Sequence, residues 1–191
     1  MPISRSRQRG LFDDWLFDGK PSAFQRSNMP RTDVSADTAV LTTQVMASYA
    51  IPVGPGDVIT SLTFLSGATA AGTPTNWWFA LYNDAATPAL LAQTADQTAT
   101  AWAADTVKTL ALTTAQTNAG DWTVWFASVM MKATTPNSLV GVNLGRAAIS
   151  TGVLAAQKVL ARTSGAALTT TAPATITGAT AIVGLAYVLA T

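Results

Sequence analysis

The chain has 191 residues, 49% of them hydrophobic, a length that allows one domain with a substantial core and an appendage. Its net charge is +1 and only 11% of its residues are charged, which favours association over a monomer with a Thr/Ala/Ser surface. It contains no cysteine, no histidine and no glutamate, since all ten acidic residues are aspartates. This composition excludes disulfides, thiolate nucleophiles and Ser-His-Asp or Cys-His sites, and we expect no cofactor, no metal and no enzymatic activity.

Residues 1–38 are predicted to form an extended, basic and aromatic N-terminal arm. The first 31 residues hold six basic residues and three aspartates, a net charge of +3, whereas the remainder holds five and seven, a net charge of −2. Asp13 and Asp14 interrupt the apolar run that a signal peptide would need. Because disordered tails are poor in aromatics, we predict that the arm orders on a partner instead of remaining a solvated tail. The residues expected to contact that partner are Arg5, Arg7, Arg9, Leu11, Phe12, Trp15, Phe17 and Arg26.

Residues 39–191 are predicted to form one jelly-roll-like β-sandwich domain, because short β-rich runs alternate with turns rich in Gly, Pro, Asn and Asp. The predicted strands, in chain order, are Ala39–Ala50, Val58–Leu65, Asn76–Asn83, Pro88–Thr94, Asp105–Thr113, Asp121–Met131, Leu139–Leu144 and Ala181–Ala190. Ala147–Arg162 has the weakest pattern: its run Val153–Leu160 fits either a helical turn or a strand, and we favour strand and loop. Gly165–Thr180 is predicted to be loop. The apolar run Ile176–Ala190 is too short and interrupted to span a membrane, so no membrane association is expected.

Two predicted strands carry bulky side chains on both faces. In Asn76–Asn83, the first face has Trp77, Phe79 and Leu81, and the second has Trp78, Ala80 and Tyr82. In Asp121–Met131, the corresponding sets are Trp122, Val124 and Phe126, and Thr123, Trp125 and Ala127. Faces rich in Trp, Phe and Leu are core faces, so these strands are expected to anchor the core. Their second faces need cover from a partner, a loop or the arm.

The aspartates offer little for catalysis. The only adjacent pair, Asp13-Asp14, lies in the arm, where nothing would hold the carboxyl spacing that glycoside hydrolysis requires. The others stand singly at positions typical of turns and strand entries: Asp57, Asp84, Asp96, Asp105 and Asp121. A calcium site built from loop aspartates and carbonyls stays open as an alternative. Nucleic acid is not the expected partner, because the basic residues of the arm are interleaved with aspartates and the body is acidic.

The tryptophans raise the alternative of glycan binding, because indole faces stack on sugars. Trp102 lies in a loop-like stretch and is the best candidate for an exposed, glycan-binding tryptophan. A place in the core or in an interface is the competing interpretation for all the body tryptophans.

The order of several motifs in residues 40–191 resembles a group of tailed-bacteriophage virion proteins. The motifs are Gly54–Ile59, Trp77–Asn83, Leu90–Thr94, Trp102–Leu110, Gly120–Trp122, Ala172–Thr177 and Ala186–Val188. That group comprises β-sandwich or jelly-roll modules among capsid decoration proteins, head fibres and minor tail proteins. The likeness lies in texture and motif order, so it transfers no functional residues to this sequence.

The resemblance implies a structural virion protein that is assembled in the host cytoplasm. The first hypothesis is a decoration or minor capsid protein that docks on the lattice of the major capsid protein, or on other virion proteins, through its arm. Because shells and tails are symmetric, a homo-oligomer is expected, with a trimer as the first guess. The alternative is a tail or fibre protein whose sandwich binds a glycan on the host surface. A third, less favoured hypothesis is an aspartate-based hydrolase.

Overall fold

The computed structural model describes residues 24–191, in which thirteen strands and two short helices are formed. The strands are β1 Arg26–Ser27, β2 Ala36–Asp37, β3 Met46–Val53, β4 Val58–Leu65, β5 Asn76–Tyr82, β6 Leu90–Gln93, β7 Val107–Thr117, β8 Thr123–Lys132, β9 Val140–Asn143, β10 Ala161–Ser164, β11 Thr180–Ala181, β12 Gly184–Ala186 and β13 Val188–Ala190. The helices are a 3₁₀ turn at Arg31–Asp33 and α1 at Ala147–Thr151. Within residues 24–191, no helix is long and apolar enough to cross a membrane.

The strands pair in three antiparallel sheets. The orders are β1-β13-β4-β7, β11-β10-β3-β8-β5-β6 and β12-β9-β2. The main core brings together side chains of the four-stranded and six-stranded sheets. Phe64 of β4, for example, lies against Phe79 of β5 with ring centroids 4.7 Å apart. The predicted all-β sandwich is therefore confirmed.

The period-two pattern of the aromatic strands decides which side chains enter the main core. Adjacent Trp77 and Trp78 are both fully buried, but Trp77 lies in the main core and Trp78 in a second cluster. On β8, Trp125 and Phe126 are divided between the two clusters in the same way. The six-stranded sheet is thus apolar on both faces, as the alternation predicts.

The second face of the six-stranded sheet is covered by the chain itself, through segment 159–176. The apolar side chains that this segment contributes are Val159, Leu160, Leu168, Ala172 and Ile176. The Trp78 indole donates to the Thr169 carbonyl at 2.7 Å, and the Tyr82 hydroxyl donates to the Pro173 carbonyl at 2.8 Å. Among residues 24–191, a loop therefore supplies cover of the kind that the sequence required.

Residues 147–162 agree only in part with the prediction of strand and loop: Val153–Leu160 is irregular and β10 begins at Ala161, but Ala147–Thr151 forms a helical turn. The cause is Ser150, which is fully buried. Its hydroxyl accepts from the Ala161 backbone N–H at 2.8 Å and donates to the Ala161 carbonyl, while its own carbonyl accepts from Leu160 N–H at 2.7 Å. These long-range bonds close residues 150–161 into a loop, which local propensity does not reveal.

The C-terminal segment also departs from the prediction of one strand over Ala181–Ala190. It is divided into β11, β12 and β13, each in a different sheet. Gly141 of β9 permits the β12 pairing, since a Cβ at that position would lie 2.2 Å from the Leu185 carbonyl oxygen. Apolar composition identifies such a segment as buried, but it does not show where the segment changes sheets.

Residues 24–38 belong to the folded body, although the sequence placed them in the arm. β1 pairs with β13, and β2 pairs with β9. The Asn28 side chain donates to the Ala186 carbonyl at 2.7 Å and accepts from Val188 N–H at 3.1 Å, and Met29 is buried. The folded body therefore includes strands that precede the predicted boundary between arm and sandwich at residue 38. Seven predicted arm contacts fall outside the described residues: Arg5, Arg7, Arg9, Leu11, Phe12, Trp15 and Phe17.

Burial raises the pKa of the Tyr49 and Tyr82 phenols well above the ordinary value of 10.0. The unfolded chain releases these protons near pH 10 and the folded chain retains them, so the stabilisation is present below pH 10 and is lost as pH rises further. We expect the free energy of unfolding to fall by up to about 1.4 kcal/mol per pH unit for each tyrosine above that point. Urea unfolding of the wild type and Tyr82→Phe at several pH values checks this. An equal slope for both proteins would contradict it.

Candidate functional site

Trp102, the predicted glycan-binding tryptophan, is fully buried and lies in the main core. Its ring centroid is 4.9 Å from that of Trp77 and 5.6 Å from that of Phe79, and its indole N–H donates to the Thr106 carbonyl at 3.2 Å. The prediction that Trp102 is exposed is therefore wrong, because the irregular segment around it folds inward over the end of the sandwich. The competing interpretation, a core tryptophan, is the correct one.

The body aspartates that the sequence placed in turns mostly bind neighbouring backbone or side chains. Asp96 accepts from the Asn76 amide and from the Thr98 hydroxyl, both at 2.7 Å. Asp84 forms an ion pair with Lys158 at 2.7 Å. Among the residues that the structure describes, no three acidic side chains come together in a way that could hold a metal ion.

Arg26, the one predicted arm contact among the described residues, is bound within the body. Its Nε and Nη2 donate to the two carboxylate oxygens of buried Asp57 at 2.6 and 2.8 Å. The same carboxylate accepts from Gly54 N–H at 2.6 Å. The guanidinium carbon lies 5.0 Å from the ring centroid of Phe24 and 5.1 Å from that of Trp122. This bidentate ion pair fixes the position of the residues that connect the N-terminal arm to the folded body.

Trp122 is the body tryptophan that remains open to solvent. Its exposed fraction is 58%, whereas Trp125 is 7% exposed and the other described tryptophans are fully buried. The sequence grouped Trp122 with the core face of its strand, but β8 begins one residue later, at Thr123. Gly120 and Asp121, which precede Trp122, are typical turn residues. They indicate that the alternating pattern of β8 begins only after the turn.

The orientation of Trp122 is set by the backbone around it. A Cβ on Gly54 would lie 3.0 Å from the indole Cη2, so the glycine lets the ring approach the backbone closely. The buried Asn118 amide donates to the Gly54 and Asp121 carbonyls, both at 2.9 Å, and its oxygen accepts from Gly120 N–H at 3.1 Å. Asn118 thus joins the two loops that support the indole.

A shallow, open depression of about 480 Å³ lies beside the Trp122 ring. The residues that line it include Asn83, Asp84, Asn118, Asp121, Trp122 and Thr123. Asp84 is already engaged by Lys158 and by the Thr123 hydroxyl at 3.3 Å. The Asp121 carboxylate is exposed and has no side-chain partner among the described residues, so it is available to a ligand. We call Trp122, Asp121 and this depression the Trp122 site.

No known family model matches this chain, and no curated protein matches it either.

Proposed function

We propose that this chain is a structural protein of a tailed-phage virion, of the decoration or minor capsid type, that docks on the major capsid lattice through its N-terminal arm. The motif-order resemblance over residues 40–191 and the all-β sandwich support this assignment. The observation that carries the docking mechanism is the fixed root of the arm at Arg26. An arm held at its root loses less freedom on binding than one attached by a loose linker.

The composition of residues 1–23 agrees with such a role. The segment combines basic and aromatic side chains, which are suited to a contact that buries apolar area and pairs charges. The Arg26–Asp57 pair and the pairing of β1 with β13 anchor the residues that follow it. The residues that join the arm to the sandwich therefore have a defined place, so a lattice contact made by the arm would hold the sandwich near the lattice.

Self-association through the outer face of the four-stranded sheet is the second part of the proposal. Leu62 and Phe64 of β4 face the core, so their neighbours along the strand face outward. The outward rows of β4, β7 and β13 contain no charged residue: Ser61 opposite Ala111, Thr63 opposite Thr109 and Leu189, and Leu65 opposite Val107. An uncharged face suits packing against another copy, and we keep the trimer as the expected stoichiometry.

Deletion of residues 1–23 tests the docking mechanism. We expect the truncated protein to keep its unfolding midpoint, because every element of the described fold begins after the cut, and to be lost from assembled particles. Removal of residues 1–31 is the informative comparison, since it also deletes β1 and the Asn28 and Met29 contacts and should destabilise the body. Particle content is measured by quantitative immunoblot after complementation of a deletion phage. Normal incorporation of the chain lacking residues 1–23 would contradict docking through the arm.

A tail or fibre protein that binds a host glycan is the second candidate. Its ligand does not bind at Trp102, which is buried, but the exposed indole of Trp122 gives this candidate a specific surface. The location of the protein on the particle separates the two candidates.

A further inference from the structure

We propose that the Trp122 site binds an uncharged sugar ring of a glycan. The inference goes beyond docking on a particle and does not depend on it, since a head or a tail protein can carry such a site. Three features carry it: an exposed indole held in a fixed orientation, a carboxylate that has no side-chain partner within residues 24–191, and an open depression that both residues line.

The indole supplies the apolar half of the recognition. A sugar ring presents a face of C–H groups, and an aromatic ring offers a flat surface on which that face can pack. Trp122 is 58% exposed, and its ring already packs against Gly54 and Arg26. Its orientation is therefore fixed before a ligand binds, so binding does not have to bear the entropy cost of ordering it. Arg26 is itself held by both carboxylate oxygens of Asp57. The platform is therefore formed before binding.

The carboxylate of Asp121 supplies the polar half. A carboxylate has two acceptor oxygens, which can take hydrogen bonds from neighbouring hydroxyl groups. Asp121 precedes Trp122 in the chain, and its backbone is held by the Asn118 amide at 2.9 Å. Both residues line the same depression. A sugar ring stacked on the indole can therefore donate hydrogen bonds from its hydroxyl groups to the Asp121 carboxylate.

The charges around the site select an uncharged ring. Asp121 has no compensating cation among the described residues, so a uronic or sialic acid would meet a like charge. The Arg26 guanidinium, 5.1 Å from the Trp122 ring centroid, does not offset this charge, because both carboxylate oxygens of Asp57 bind it. Lys158 does not change this balance, since it is paired with Asp84.

The shape of the site indicates one ring of a longer chain. The volume of about 480 Å³ lies within the range of small-molecule sites, about 300–1,000 Å³, but the depression is shallow and open. A ring bound there keeps much of its surface in solvent and can continue into further sugar units. We expect a dissociation constant on the order of 1 mM for a single oligosaccharide, strengthened by multivalency where several copies meet one glycan surface.

A glycan array tests the site with purified, full-length protein. The array carries neutral oligosaccharides of glucose, galactose, mannose and N-acetylglucosamine, beside uronic-acid and sialic-acid oligosaccharides. We expect neutral sugars to be bound and anionic ones not to be. For a sugar that binds, titration by isothermal calorimetry should show affinity weakened about tenfold or more in Trp122→Ala and also weakened in Asp121→Asn.

Two controls keep the outcome interpretable. Leu154→Ala removes another strongly exposed apolar side chain, 71% exposed, and should leave binding unchanged. Asp121→Asn replaces a carboxylate that has no side-chain partner within residues 24–191 by a neutral amide of the same shape, so it should keep the wild-type unfolding midpoint even if Trp122→Ala does not. Absence of binding to every neutral sugar, preference for anionic sugars, or full binding by both site variants would each overturn the proposal. A silent array leaves docking through the arm untouched, because that is measured on particles.

Discussion

Replacing Trp102 with alanine is expected to lower the free energy of unfolding by about 3–5 kcal/mol, the usual range for a buried aromatic replaced by alanine. The side chain is fully buried, and its ring packs on Trp77 and Phe79. Its removal leaves a cavity lined by aromatic rings on strands that pair over their whole length, so the site has little room to collapse. Urea unfolding followed by far-ultraviolet circular dichroism measures the change without relying on tryptophan fluorescence.

Trp122→Ala is the matched control for that measurement. Trp122 is 58% exposed, so the same chemical change should cost about 1 kcal/mol or less, chiefly through its lost contact with Arg26. Equal losses for the two variants would contradict the distinction between a core tryptophan and an exposed one.

Asp57→Ala is expected to cost about 2–4 kcal/mol. The change leaves the Arg26 guanidinium and the Gly54 N–H without their shared acceptor, at a position where the carboxylate is 8% exposed. The expected loss is below that of a fully buried pair because the Arg26 side chain is 32% exposed and water can reach part of it. Urea unfolding at neutral pH provides the value.

Two further substitutions define what Asp57 contributes. Asp57→Asn keeps one acceptor oxygen and should fall between the wild type and the alanine variant. Asp33→Ala removes an exposed aspartate whose side-chain contact is a 3.4 Å hydrogen bond with Thr32, and it should change stability by less than about 0.5 kcal/mol. If Asp57→Ala were as mild as Asp33→Ala, the ion pair would not fix the root of the arm.

The strands that the sequence predicts best are those with a strong local pattern. β4 has the predicted bounds, Val58–Leu65, and β5 ends one residue before the predicted Asn83. In both, bulky or β-branched residues are bounded by turn residues, so period and propensity agree. α1 and the three-way division of the C-terminal segment were not predictable in this way, because distant partners such as Ala161 and Gly141 determine them.

The candidate site likewise combines features that the local sequence pattern predicts with features that depend on distant parts of the chain. The sequence indicated Trp102 as the best candidate for an exposed tryptophan, because composition alone made its surroundings look like an exposed loop. The loop instead closes over the core. Trp122 was assigned to a core face because the alternation of β8 was extended one residue too far, into the bend formed by Gly120, Asp121 and Trp122. Whether a residue at the end of a strand is exposed depends on where the hydrogen bonds to the neighbouring strand begin. The neighbouring strand, not the local sequence, determines that point.

The central claim, that the arm docks this sandwich on a capsid lattice, is tested most directly by electron cryo-microscopy of intact particles. We expect density for the sandwich on the outer surface of the head, arranged with the lattice symmetry, with residues 1–23 traced against the major capsid protein. A sandwich found only on the tail, or a head-bound sandwich whose contacts omit residues 1–23, would contradict it.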